Sequence, residues 1–575
     1  MGLKNDCSFA ALAASFLFFP GFSIAAPMLR LVSSTIGPVS IATGTNGAAQ
    51  TVEAYNAGDG SLNLSLSSSV SWIAASVGTP RSCTTRTGTC IPLQFALNTS
   101  PLPAGITTGI VTVSDPNAVD SPQTITVTVQ MGGGVPSTVD LYAAPGGTND
   151  ARFATNSLLA GTVSTSSGGQ WLSLVLDGTG SFRFSFPYRI HMAPSSLLSA
   201  GTYSGTMTTS GSSFAPDNKT IPVTMRVTSQ PIAQPSTDHV TMRLAQGAPP
   251  TAVNVVLNNV GQGTISVTGA TANVTGGTWL TAKSFATGAT LTFDPGSLAP
   301  GAYSGSVAIA SNAANGTITV PVDFTVVAKG APLINYQGVV DNGTFVPGDT
   351  VARGDVMAVL GEQFMFGSLT VGPAPPLATT ISGVQVLVNG SPAPLYYASY
   401  GQLAFQMPYE VPLGNAVVQV VSNGSSSNSV SVQVANRAPR LLLIGVGSYG
   451  AIVNQDGSIP MPVGSFPGVN THPAKVGDTL TIYAIGLGPT NPAGVTGQPA
   501  PSSEPLARVI PTPIVNFGGG IGGTQVVPFF AGLTPTYAGL YQLNVTIPSD
   551  VPKGTVNLSL GFSDSGSNSV QIEIQ

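Results

Sequence analysis

The same passage occurs three times in the N-terminal part of the chain. Trp72, Trp171 and Trp279 each stand upstream of a similar stretch: "PLPAGITTGIVTV" from Pro101, "SLLSAGTYSGTMTT" from Ser196 and "SLAPGAYSGSVAIAS" from Ser297. Each stretch leads into an alternating segment, "QTITVTVQM", "KTIPVTMRV" and "GTITVPVDFTV". The interval from one tryptophan to the next is about 100 residues, the length of a small domain, so each repeat must close a core of its own.

Within a repeat, short runs of Val, Ile, Thr, Leu and Tyr alternate with polar residues and end in Gly, Pro, Asn and Ser turns. Almost no segment after the N-terminus carries a helical period with capping signals. About 100 residues, roughly seven short strands and one Trp predict an immunoglobulin-like β-sandwich. The stretches "QMGGGVPS", "TSQPIAQPS" and "VVAKGAPL" supply Gly and Pro punctuation, which places the repeats at 27–134, 135–230 and 231–330.

The rest of the chain repeats differently. "GQLAFQMPYEVPLGNAVVQVVSNGSSSNSVSVQV" from Gly401 matches "YQLNVTIPSDVPKGTVNLSLGFSDSGSNSVQIEI" from Tyr541, so that Gln402, Pro408 and Asn428 correspond to Gln542, Pro548 and Asn568 at one constant offset. Upstream, "RGDVMAVLGEQF" from Arg353 resembles "VGDTLTIYAIGLG" from Val476. Two more β-sandwiches are expected, at 331–437 and 438–575. The fold class is therefore all-β, five sandwiches in tandem.

Positions 1–26 read as a secretory signal peptide: a short polar start with Lys4, an apolar run from Phe9 to Ala26, and small residues before the cut. Pro20 and Gly21 shorten the apolar helix below the ~20 residues a membrane span needs. Export then sets the chemistry of the cysteines. Cys7 leaves with the signal, and Cys83 and Cys90 remain, six residues between them. A two-residue spacing would suggest a redox pair, and zinc would need about four ligands. A local disulfide is the expectation, against free thiols as the alternative.

Lys, Arg, Asp and Glu make up 7% of the chain against the ~25% of an ordinary soluble protein. Since 42% is hydrophobic, packed cores are expected, with a surface of hydroxyls and amides. A net charge of −5 without a basic run excludes nucleic acid and anionic lipid as partners.

Candidate chemistry is sparse. His191, His239 and His472 lie in "YRIHMAP", "STDHVTM" and "VNTHPAK", none near a G-x-S-x-G elbow, and Asp238 is only the sequence neighbour of His239. Asp115, Asn117 and Asp120 offer oxygens to calcium, but such residues also suit turns. "GGGIGG" at 518–523 lacks the Lys and the helix of a phosphate loop, and "RGD" at 353–355 runs straight into a strand. No catalytic residue, metal site or cofactor is expected. The tryptophans are expected in the cores. Tyr203 and Tyr303, both in "YSG", are candidates for a sugar-stacking platform, with a core role as the alternative.

Two resemblances bear on function. The pattern of Trp, then "GAYSGSV", then "TITVPV" resembles BACON-type modules over about 50–330, immunoglobulin-like domains of secreted bacterial proteins associated with carbohydrate or mucin. The first repeat departs from it, with Ile73 after Trp72 and the cysteine loop inserted. "ISGVQVLVNGSPAPLYYASYGQLAFQMPYEVPLG", "IYAIGLGPTNPAG" and "YAGLYQLNVTIPSDVPKG" resemble the Solibacter-type C-terminal domain over about 335–575, whose halves are similar to IPT/TIG folds. These resemblances imply an exported, non-catalytic protein of the cell surface or surroundings, acting in adhesion or in binding an extracellular polysaccharide or cell-surface glycan. A structural spacer or matrix protein is the alternative, and a polysaccharide-active enzyme the remote one.

Overall fold

The computed structural model describes residues 27–575 except 119–120, 178–185, 445–446, 467–468 and 519–522. The expected signal peptide lies outside the described residues. Strands account for all regular structure there except one 3-10 turn, Ala215–Asp217. The protein is all-β, a tandem array of β-sandwiches. Its buried apolar residues gather into five cores, each drawn from one consecutive stretch: Leu29 to Met131, Val135 to Val227, Ala233 to Val326, Ile334 to Val434 and Leu441 to Ile574.

Alternation builds each wall. In Ile318–Val327, Val320, Val322, Phe324 and Val326 point inward and are at most 2% exposed, while Thr319 and Pro321 face out. In the first three sandwiches an early strand runs parallel to the last: Thr35–Ile41 beside Gln123–Met131, Val139–Ala143 beside Thr220–Val227, and Val240–Ala245 beside Ile318–Val327. Pro222 and Pro321 sit inside these last strands, where a missing N–H would break a ladder. Their parallel partners first meet Val223 and Val322, one residue later, so each proline lies just outside that pairing.

The repeated Trp explains the repeated Gly. A Cβ on Gly109, Gly205 or Gly305 would stand 3.2, 3.4 and 3.5 Å from the rings of Trp72, Trp171 and Trp279, and only 2.5–2.7 Å from Val70, the Ser164 carbonyl and Val274. The strand can approach the indole only without a side chain there. All three indoles are buried, at 6%, 2% and 2% exposure.

The two C-terminal sandwiches share another device. Asn428 accepts the Ile334 amide (2.7 Å) and donates to the Ile334 carbonyl (2.9 Å); Asn568 does the same for Leu441 (2.7 and 3.0 Å). Each asparagine clamps the opening strand of its sandwich to a late one. The neighbouring serines also correspond: Ser427 and Ser567 accept the Val420 and Leu560 amides at 2.9 and 2.8 Å.

Candidate functional site

The cysteine loop lies at one edge of the first sandwich. Arg81–Ser82 pairs with Thr89–Leu97 across it, and Cys83 and Cys90 are joined as a disulfide. Glu53, 5% exposed, holds the loop from beneath by accepting the Thr84 amide (3.0 Å) and hydroxyl (2.9 Å) and the Arg81 guanidinium (3.0 Å). Those bonds, led by the Thr84 amide, keep its carboxyl below the usual range. The Glu53 carboxylate and both sulfurs lie within 4.8 Å of one another, but sulfurs joined to each other are not thiolate ligands. Asp115 is 3% exposed and accepts the amides of Asn63, Asn117 and Ala118, so its carboxylate closes a turn; Asp120 and most of "GGGIGG" lie outside the described residues.

Tyr203 and Tyr303 are half-buried. Their hydroxyls donate to the carbonyls four residues upstream, Ser199 (2.9 Å) and Ala299 (2.8 Å). The Tyr303 ring lies 6.2 Å from Trp279 and 6.4 Å from Phe324. Both rings pack against their own cores. Each ring thus combines a core contact with partial exposure.

The fold gives every histidine a carboxylate partner that its sequence neighbours do not indicate. His191 meets Asp150 at 2.6 Å, directly across the strand pair, and His239 meets Asp323 at 3.0 Å rather than the adjacent Asp238. Around His191, Arg189 bridges Asp177 (3.1 Å) and Asp150 (3.4 Å). The third cluster has the composition of a hydrolase triad: Ser458 Oγ stands 2.9 Å and Asp456 2.8 Å from His472 Nε2.

Its geometry is wrong for that chemistry. A catalytic histidine needs one nitrogen for the serine and the other for the acid. Here both groups crowd Nε2, while Nδ1 faces the Pro473 carbonyl at 2.9 Å. With an acceptor at each nitrogen, first Asp456 and then Pro473, the imidazole pKa is raised. That favours a cation, which cannot take a proton. Ser458 is 0% exposed and donates to Asp456 at 2.6 Å. The cluster pins a loop. Sequence reasoning missed it because Ser458 and His472 lie far apart along the chain with no motif between them.

Two cavities meet at the joint of the third and fourth sandwiches. Arg243 and Glu362 pair there at 2.9 Å, Tyr400 Oη accepts the Ala245 amide at 2.7 Å, and the rings of Phe366 and Tyr400 pack against the third core. On one side of the ion pair is a cleft of about 920 Å³, with Ser67, Thr112, Ser114 and Ser121 of the first sandwich opposite Gln363 and Asn428. On the other is a groove of about 650 Å³ containing Tyr400 and Leu369. Among the described residues the cleft lining offers hydroxyls and amides, and Glu362 is the one carboxylate lining either cavity; Asp120, next to Ala118 and Ser121 of the cleft, lies outside them. Such a surface can exchange hydrogen bonds with a neutral polar ligand.

No protein-family model and no curated protein matches the chain. Among solved structures, the endo-fucoidan hydrolase MfFcnA4 from glycoside hydrolase family 107 aligns at 15% identity over 53% of this chain and 44% of that one, with a TM-score of 0.17. The protocadherin GammaB4 extracellular domain aligns at 13% identity over 96% of this chain and 84% of its own, with a TM-score of 0.15. A three-domain titin fragment, I67–I69, gives 8%, 53% and 99%, with a TM-score of 0.14. At scores this low the chains do not superpose as wholes. Among the described residues no helix is long and apolar enough to cross a membrane.

Proposed function

We propose that the protein is exported and serves as a non-catalytic scaffold of five β-sandwiches, placed at the cell surface or in its surroundings, with the BACON-like and Solibacter-type resemblances describing its two halves. The observation that carries this reading is the placement of the repeated aromatic residues: three indoles are buried in cores, and Tyr203 and Tyr303 pack against their own cores, where they stabilise modules. The disulfide and the apolar N-terminal run support export.

The pair of cavities beside Arg243 and Glu362 favours a second reading, weak binding of a neutral glycan through hydroxyls and amides. A glycan array probed with the full chain separates the two. The scaffold reading expects no retention at millimolar glycan. Retention that survives high salt and is lost in Thr112→Val or Ser426→Ala, two cleft-lining variants, would replace it with glycan binding, since ion-driven association weakens with salt.

A further inference from the structure

The turn that opens the central strand of each C-terminal sandwich carries the same aspartate. Asp355 accepts the Ala352 amide and donates its own amide to the Ala352 carbonyl, both at 3.3 Å. Asp478 does so with Lys475 at 2.8 and 3.0 Å. Asp478 stays partly exposed, whereas Asp355 is 0% exposed, because the fifth sandwich packs over its turn. One oxygen of Asp355 bonds Ala352 and the other, Oδ1, is buried without a partner.

The surrounding joint is polar and borders a small cavity. Gln406, also 0% exposed, donates to the Gly354 carbonyl (3.3 Å) and accepts the Gly497 amide (2.6 Å) from the facing sandwich. Tyr409 Oη is buried as well, and its residue borders a cavity of about 180 Å³ with Arg353, Asn436 and Thr490. The ionisable groups facing Asp355 are Asp341, Arg440, Tyr396, Tyr409 and Tyr541. Arg440 is engaged by Asp341 (3.6 Å) and Asp349 (3.1 Å). Burial raises all three tyrosines, Tyr409 to about 12, so they stay neutral at ordinary pH. A carboxylate at Asp355 would therefore stand among neutral groups and a second acid, without a cation of its own.

We propose that the joint between the fourth and fifth sandwiches is a proton-operated latch, closed over Asp355 as the neutral acid and loosened when that side chain ionises. Burial pushes its pKa up to about 8, while a side chain released to water titrates near ~4. Opening thus gives one proton to solvent between those limits, and docking weakens by up to about tenfold for each pH unit gained. Below ~4 both forms are protonated and the dependence vanishes.

Hydrogen exchange of the full chain, corrected for intrinsic rates, tests this between pH 5.5 and 8.5. Protection around 352–358, 405–411 and 486–497 should fall at least tenfold in the wild type, hold level in Asp355→Asn, and fall as in the wild type in Asp478→Asn. An Asp355→Asn protein that keeps the wild-type dependence overturns the latch, as does a wild type without any. If Asp355→Asn does not fold, the wild-type profile still decides. His472→Gln serves as the control for the other titrating cluster and should leave these three segments unchanged.

Discussion

The first three sandwiches and the last two use one architecture but direct their buried polar groups differently. In the first three, the repeated devices serve the inside of each module: an indole on a glycine in all three, a tyrosine hydroxyl on its own turn in the second and third. Between the fourth and fifth, polar groups face the neighbour. Gln406 reaches Gly497, the Tyr409 amide donates to the Thr496 hydroxyl (2.9 Å), and Tyr396 donates to the Ala538 carbonyl. Apolar burial is non-directional and will hold a module together in many ways. A buried amide or acid is costly unless it meets one particular partner, so it fixes how two modules meet.

The largest expected effect lies in a core. Trp279→Ala should cost about 3–5 kcal/mol in the third sandwich, seen as loss of protection in its strands. The last sandwich should keep its own. If both unfold together, the contrast between internal cores and a separate C-terminal pair fails.

A smaller effect compares the two asparagine clamps. Asn428→Ala and Asn568→Ala each leave an amide and a carbonyl unpaired and should cost about 1–3 kcal/mol. Because the two clamps share nearly the same bond lengths, denaturant midpoints should shift equally. Unequal shifts would mean that the neighbouring sandwich supports one clamp and not the other.

The smallest effect is the pH response of the loop at Asp456 and His472. The His472 pKa is raised, so its contribution is complete below the ordinary ~6.5 and is lost as pH rises through the folded value. Bonds from Ser458 and then His472 hold Asp456 well below the usual range, so its contribution is complete above ~4 and is lost as pH falls further. Protection of residues 454–459 and 470–474 should peak between ~4 and ~6.5. His472→Gln should abolish the alkaline side and weaken the acid side, where the Ser458 bonds to Asp456 remain.

Much of the fold was legible because its cause is local. Alternating Val, Ile and Thr between Gly and Pro turns can bury one face only as strands, and the repeat at domain length told that each set closes on itself. The disulfide was readable from two cysteines and the expectation of export. The clusters around His191, His239 and His472 were not, since each partner comes from another strand or loop with no motif between them. Tyr203 and Tyr303 show the limit within one motif: "YSG" marks a strand but does not say how much of the ring the core covers.

By itself, then, the chain's alternation and periodicity determined the all-β class and the tandem plan, and its scarcity of charge determined a surface of hydroxyls and amides. Only the tertiary structure decided the fate of equivalent residues. Asp355 and Asp478 occupy the same turn in the same kind of strand, yet one is buried with an unpartnered oxygen and the other stays partly in water. Local sequence specifies a turn through backbone bonds a few residues apart. Whether that turn meets water or another sandwich depends on packing between modules, and the low dielectric of that contact, not the residue, sets the side chain's chemistry.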